Sequence, residues 1–152
     1  MNVVEDSLHY PNGIALAPGQ KTLYLSDTGA GSGPIDPQLP SGQLSYVTTG
    51  KRTVYAYDLC SDGMSIVNKR PIYLSQDFVP DGVKVARNGY IVAATGSGVD
   101  VLDPVGTLLI RIQTNYTAVN FAWTGEDFET LWIVGVGGIS RVNWNLKGQV
   151  LT

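Results

Sequence analysis

The sequence predicts an all-β fold, a β-propeller of four-stranded blades, on three observations. Short apolar runs rich in Val, Ile, Leu and Tyr recur along the chain, separated by turns containing Gly, Pro, Asn or Asp, the pattern of strands joined by tight connections. A polar residue leading into an apolar strand occurs as Pro11-Asn12-Gly13-Ile14-Ala15-Leu16, again as Pro80-Asp81-Gly82-Val83, and more loosely as Val119-Asn120-Phe121-Ala122-Trp123. Asp81 follows Asn12 by 69 residues and Asn120 follows Asp81 by 39, and setting aside most of a Gly-, Pro- and Ser-rich stretch at 27–50 brings the two spacings together. A period of about 40 residues with four short strands per unit is what a propeller blade looks like. No stretch has convincing helical amphipathicity.

The whole chain, 1–152, is expected to be part of one propeller, with units over about 11–78, 79–117 and 118–152. In the first unit, strands are expected at 14–17 and 22–26 around the turn Pro18-Gly19-Gln20-Lys21. The stretch 27–50 lacks periodicity and exceeds an ordinary hairpin connection, so it reads as a functional or mobile loop. Alternation at 53–59, a turn at Ser61-Asp62-Gly63, and runs at 64–68 and 71–74 complete the unit. The second unit opens with a hairpin turning at Arg87-Asn88-Gly89, then has strands at 99–103 and 107–112 around Pro104-Val105-Gly106. The third runs from Asn120 through Trp132 to 138–143, with a short last strand around Gln149-Val150-Leu151. Three blades are fewer than the four to eight that close a propeller. An open arc would expose the apolar faces of its end blades, so these units are expected to belong to a ring.

Composition narrows the function. Net charge is −3 and the ten Lys and Arg residues are scattered, which argues against nucleic acid or an anionic membrane as partner. Cys60 is the single cysteine, so no intrachain disulfide exists, and an inert, half-buried thiol is expected. No apolar run approaches membrane-spanning length, and the first residues lack a signal peptide's basic start and apolar core. A cytoplasmic location is expected, or a secreted one if a longer precursor exists. Asn115-Tyr116-Thr117 is a glycosylation sequon that matters only on secretion.

Strand direction places chemistry at one end. Asn12, Asp81 and Asn120 each precede the first strand of a unit, so all three are expected at the same mouth of a central channel, overhung by the 27–50 loop. Oxygen ligands converging there suit a hard cation such as Ca²⁺. Asn and Asp before Gly are equally plain turn formers. His9 is the only histidine and reads as a half-exposed turn residue near that mouth, not as a triad base. One His and one Cys make a zinc site improbable. Gly96-Ser97-Gly98 and Gly135-Val136-Gly137-Gly138 lack a strand-to-helix context and read as turns, and Trp123, Trp132 and Trp144 read as core.

Several of these residues resemble, in order, the C-terminal half of the gluconolactonase family, which includes senescence marker protein (regucalcin) and diisopropylfluorophosphatase-like enzymes. They are Pro11-Asn12-Gly13-Ile14-Ala15-Leu16, Leu23-Tyr24-Leu25-Ser26-Asp27-Thr28-Gly29, Arg52-Thr53-Val54-Tyr55-Ala56-Tyr57-Asp58 and Pro80-Asp81-Gly82-Val83. The resemblance covers nearly the whole chain. It implies a six-bladed propeller with one divalent cation, usually calcium, in its channel and hydrolysis of lactones or related esters. By the same resemblance Asn12 is a metal ligand, and Asp81 is both a metal ligand and the catalytic base or nucleophile. The family's glutamate ligand and a further asparagine would lie upstream of Met1, since Glu5 and Asn2 are too close to Asn12 to be those residues. The implied substrate is a small lactone such as a sugar-acid lactone. The alternative function is a non-catalytic propeller fragment that binds a partner or self-associates through open blade edges.

Overall fold

The computed structural model describes residues 2–34 and 45–150. Eleven strands form three antiparallel meander sheets, and no α-helix occurs among the described residues. The first sheet contains β1 (Pro11–Leu16), β2 (Thr22–Asp27), β3 (Thr53–Leu59) and β4 (Ile66–Leu74) in that order. The second contains β5 (Val83–Val85), β6 (Ile91–Thr95), β7 (Gly98–Leu102) and β8 (Leu108–Gln113). The third contains β9 (Ala118–Thr124), β10 (Thr130–Gly135) and β11 (Gly138–Asn143).

Local sequence accounts for most of these boundaries. The hairpin between β5 and β6 turns where Gly89 takes a positive φ of 89°, and the Asn88 side chain accepts the Tyr90 N–H at 3.1 Å. Two expected runs fuse into the nine-residue β4, which carries Pro71 through its middle. Proline is tolerated there because β4 is an edge strand, leaving its absent N–H on the solvent side. No strand forms at Gln149 and Val150; instead Gly148 makes an isolated bridge to Ala86. Leu151 lies outside the described residues.

The sheets stack face to face through two apolar clusters. Tyr24, Val54, Ala56 and Tyr73 of the first sheet meet Val83, Val85, Ile91, Ala93 and Leu102 of the second. Val92, Ala94, Val99 and Val101, on the second sheet's other face, meet Ala118, Phe121, Leu131 and Ile133 of the third. Every residue of β6 and β7 is therefore buried, and fully burying one such Val, Ile or Leu contributes about 1.5–3 kcal/mol. A polar tie crosses the first contact. Fully buried Asp100 of β7 accepts the Tyr73 hydroxyl at 2.6 Å, and its carboxylate takes the Arg111 Nε at 2.5 Å and Nη2 at 2.9 Å. The end sheets are different. Ile14 is 64% exposed on the first sheet, and on the third Trp132, Val134 and Ile139 are 39%, 46% and 67% exposed. Trp132 thus stands outside the core expected of it, under the Arg141 guanidinium at 5.9 Å. Trp123 is half-buried against Phe121, with its indole N–H on the Leu146 carbonyl.

Candidate functional site

Strand pairing brings one row of residues together at the end where the first strands begin. Pro11 pairs with Asp27, Asp27 with Thr53, and Thr53 with Leu74. The segment after β2 therefore leaves and returns at the end where Asn12 sits. Its described parts pair with each other, Val47 N–H to Ala30 O at 2.7 Å and Ser45 N–H to Pro34 O at 2.8 Å. The middle of the expected loop, residues 35–44, lies outside the described residues.

The first strands of the three sheets pass close to one another at this end, and glycine makes that possible. A Cβ on Gly13 would stand 2.4 Å from the Val83 nitrogen and 2.5 Å from the Asp81 carbonyl oxygen; one on Gly82 would stand 2.7 Å from Asn120 Oδ1 and 2.9 Å from the Val119 carbonyl. Neither glycine has a positive φ, so the requirement is space and not backbone freedom. Ser26 locks the approach. Its buried Oγ accepts the Gly13 N–H at 2.7 Å and donates to the Asp81 carbonyl at 2.7 Å.

Asn12 and Asp81 are thereby brought together, with the Asn12 side chain near enough to the Asp81 carboxylate to favour its charged form. Burial pushes the Asp81 carboxyl up to about 6, against the opposing pull of Asn12. Asn120 does not join them in the same way. The pairings Ile14 with Leu25, Val83 with Ala93 and Phe121 with Ile133 are equivalent, which puts Asn120 at the position of Gly13 and Gly82 and Val119 at that of Asn12 and Asp81. Its Oδ1 accepts the Phe121 N–H at 2.8 Å.

Sequence reasoning gave no role to Ser26 or Asp27. Fully buried Asp27 accepts the backbone N–H groups of His9 (2.8 Å), Tyr10 (3.0 Å) and Gly29 (3.1 Å). It thus fixes the chain's entry into β1 and the start of the excursion after β2. The available signal was the Ser-Asp pair ending an otherwise apolar strand, polar groups that demand partners once buried. His9 is exposed, its ring against Gly29.

As a cation site the pair supplies an amide oxygen and a carboxylate, the oxygen donors that a hard cation prefers. They fit as part of a coordination shell. Among the described residues no three His, Cys, Asp or Glu side chains cluster, so water or other groups would complete it.

A family profile described as the SMP-30/gluconolactonase/LRE-like region matches residues 39–136. The chain belongs to this family. It is 52% identical over 154 residues to lactonohydrolase oryH of Aspergillus oryzae, an alignment covering 99% of this chain and 33% of that protein. It is 25% identical to the gluconolactonase of Zymomonas mobilis, covering 97% and 38%. The chain therefore spans about a third of the length of these curated relatives. Among solved structures, the gluconolactonase XC5397 of Xanthomonas campestris superposes with TM-score 0.69 at 28% identity, over 91% of this chain and 38% of that one. Regucalcin of Agrobacterium tumefaciens, described as calcium-binding, superposes with TM-score 0.74 at 16% identity over 96% and 50%, a likeness of fold. The all-β architecture is thus that of the gluconolactonase and regucalcin propellers.

Proposed function

We infer that the chain carries part of a cation-dependent lactone hydrolase site, with its three sheets as consecutive blades of a six-bladed ring. The observation that carries this reading is the packing of Gly13 on the Asp81 carbonyl, both tied by Ser26, which sets Asn12 beside Asp81: residues 69 apart in sequence converge on the residue types a hydrolytic cation site uses. A calcium ion held by the Asn12 amide oxygen and the Asp81 carboxylate would polarise the lactone carbonyl and stabilise negative charge on its oxygen.

Asp81 supplies the proton chemistry. Burial raises its pKa to about 6 in the cation-free protein and a bound cation would lower it, so Asp81 is ionised at neutral pH. It takes a proton from a water molecule as that oxygen bonds to the carbonyl carbon; the ring C–O bond then breaks, and the departing alkoxide receives the proton. The product is a hydroxy acid and the carboxylate is regenerated. Asn12 orients the carboxylate, and Ser26 holds the backbone that presents it.

The test is hydrolysis of a model lactone such as dihydrocoumarin, followed with calcium and after its removal. Calcium-dependent turnover abolished in Asp81→Ala and reduced in Asn12→Ala supports the reading. Turnover that survives Asp81→Ala overturns it.

A further inference from the structure

A concavity opens at the same end of the molecule as the Asn12–Asp81 pair. It has a volume of about 460 Å³, and its walls include Tyr46, Arg52, Asp77, Phe78, Ser97 and Thr117. Arg52 immediately precedes β3, Asp77 and Phe78 lie in the connection from β4 to β5, and Ser97 is in the turn between β6 and β7. Asp77 precedes Asp81 by four residues, so the cavity lies within about 14 Å of the Asn12–Asp81 pair even along fully extended chain.

Two charged groups at its wall are only partly answered by the protein, Asp77 having Arg111 within electrostatic reach. Arg52 forms none of the ion pairs among the described residues, and its guanidinium lies over the Tyr46 ring, 6.0 Å from the centroid. Asp77 Oδ2 is buried without a hydrogen-bond partner, a condition that usually signals a missing water, ion or ligand. Arg52, outside the ion pairs of the described residues, and Asp77, with one unpartnered oxygen, thus border one cavity without pairing with each other. Tyr46 and Phe78, with ring centroids 6.4 Å apart, form a tilted aromatic wall. Phe78 is held there with a positive φ of 55°, a conformation that costs energy for a bulky residue and marks functional segments.

One ligand chemistry answers both groups. A carboxylate matches the planar fork of Arg52, a hydroxyl donates to Asp77, and a C–H face packs on the rings. We propose that this cavity binds a small hydroxycarboxylate, with Arg52 anchoring the carboxylate and Asp77 accepting a hydroxyl. It then serves as the acid-recognising pocket beside the hydrolytic mouth, for the ring-opened product or for a lactone bearing a second carboxyl group. The identity of the ligand rests on the lactone-hydrolase reading; the binding does not.

The test is calorimetric titration of the chain with gluconate in buffer freed of metal by chelating resin. Sorbitol, which lacks the carboxylate, and propionate, which lacks the hydroxyls, serve as comparisons. Gluconate is expected to saturate and to bind tighter than either comparison. Arg52→Ala weakens it by about tenfold or more, Arg52→Lys by less, and Asp77→Ala brings gluconate towards propionate. Lactone hydrolysis is read separately in Asp81→Ala and gluconate binding in Arg52→Ala, so the pocket and the hydrolytic reading fail separately. Gluconate affinity unaltered by Arg52→Ala, or no saturable binding in the millimolar range, overturns the proposal.

Discussion

Replacing Asp81 by asparagine should stabilise this protein at neutral pH while removing the hydrolysis proposed for it. The carboxylate sits half-buried beside the Asn12 side chain, and burial raises its pKa to about 6. In the unfolded chain it returns to the ordinary value near 3.9. Because the folded value is the higher one, the native state holds the proton more tightly. The contribution to stability is full below about pH 4 and is lost as pH rises through about 6. At full strength that gap corresponds to about 3 kcal/mol, and partial solvent exposure reduces it to ~1–2 kcal/mol.

Asparagine keeps the shape and the contact with Asn12 but never ionises. The variant should therefore match the native protein near pH 4 and exceed it at pH 8 by ~1–2 kcal/mol, or roughly 2–8 °C in melting temperature for a domain of this size. Thermal melts from pH 4 to 8 in metal-free buffer measure this directly. Calcium added at pH 8 should raise the melting temperature of the native protein and leave the variant where it was, since binding to the folded state alone stabilises by mass action. A variant less stable than the native protein at pH 8, or a difference independent of pH, refutes the reasoning. The expected pattern is that of a site kept for function at the expense of stability.

Three further outcomes follow from the packing. Asp100→Asn should lower stability by about 3 kcal/mol in chemical denaturation, because it leaves Arg111 and Tyr73 without their buried carboxylate. Gly13→Val should prevent close approach of β1 and the Asp81 segment, since even a Cβ there meets the Val83 nitrogen at 2.4 Å; the check is a cooperative melt, expected to be lost or lowered by ~3 kcal/mol or more. Ser26→Ala should slow lactone hydrolysis with a stability loss of only ~1–2 kcal/mol, read from kcat beside a denaturant midpoint, because Ser26 bonds the backbone that presents Asp81.

Periodicity and turn chemistry made most of the strands legible, since both depend on residues close in sequence. β3 is found at Thr53–Leu59, where alternation predicts it. The fusion of two expected runs into β4 was not legible, because Pro71 reads as a breaker until the strand is known to lie at a sheet edge. The site was half legible. Asn12 and Asp81 stand out as polar residues opening apolar strands, but their glycines answer to a neighbouring sheet, which is a tertiary fact. Asn120 shows the same limit: aligned by its neighbours it is a third mouth residue, yet strand register moves it one position on, a shift that sends every side chain to the other face.

The same register explains which apolar residues stay exposed. Ile14, Val83 and Phe121 occupy equivalent places in successive sheets, each facing back towards the sheet before it. Val83 is 2% exposed against the first sheet and Phe121 3% exposed against the second, whereas Ile14 is 64% exposed and has no preceding sheet among the described residues. A side chain of one type at one structural position is thus core or surface according to its neighbour alone. That dependence is what a ring of stacked blades produces, and it makes Ile14→Asp a sharp probe of ring assembly. The substitution should be nearly silent in the chain as described, and strongly destabilising wherever another sheet packs on β1.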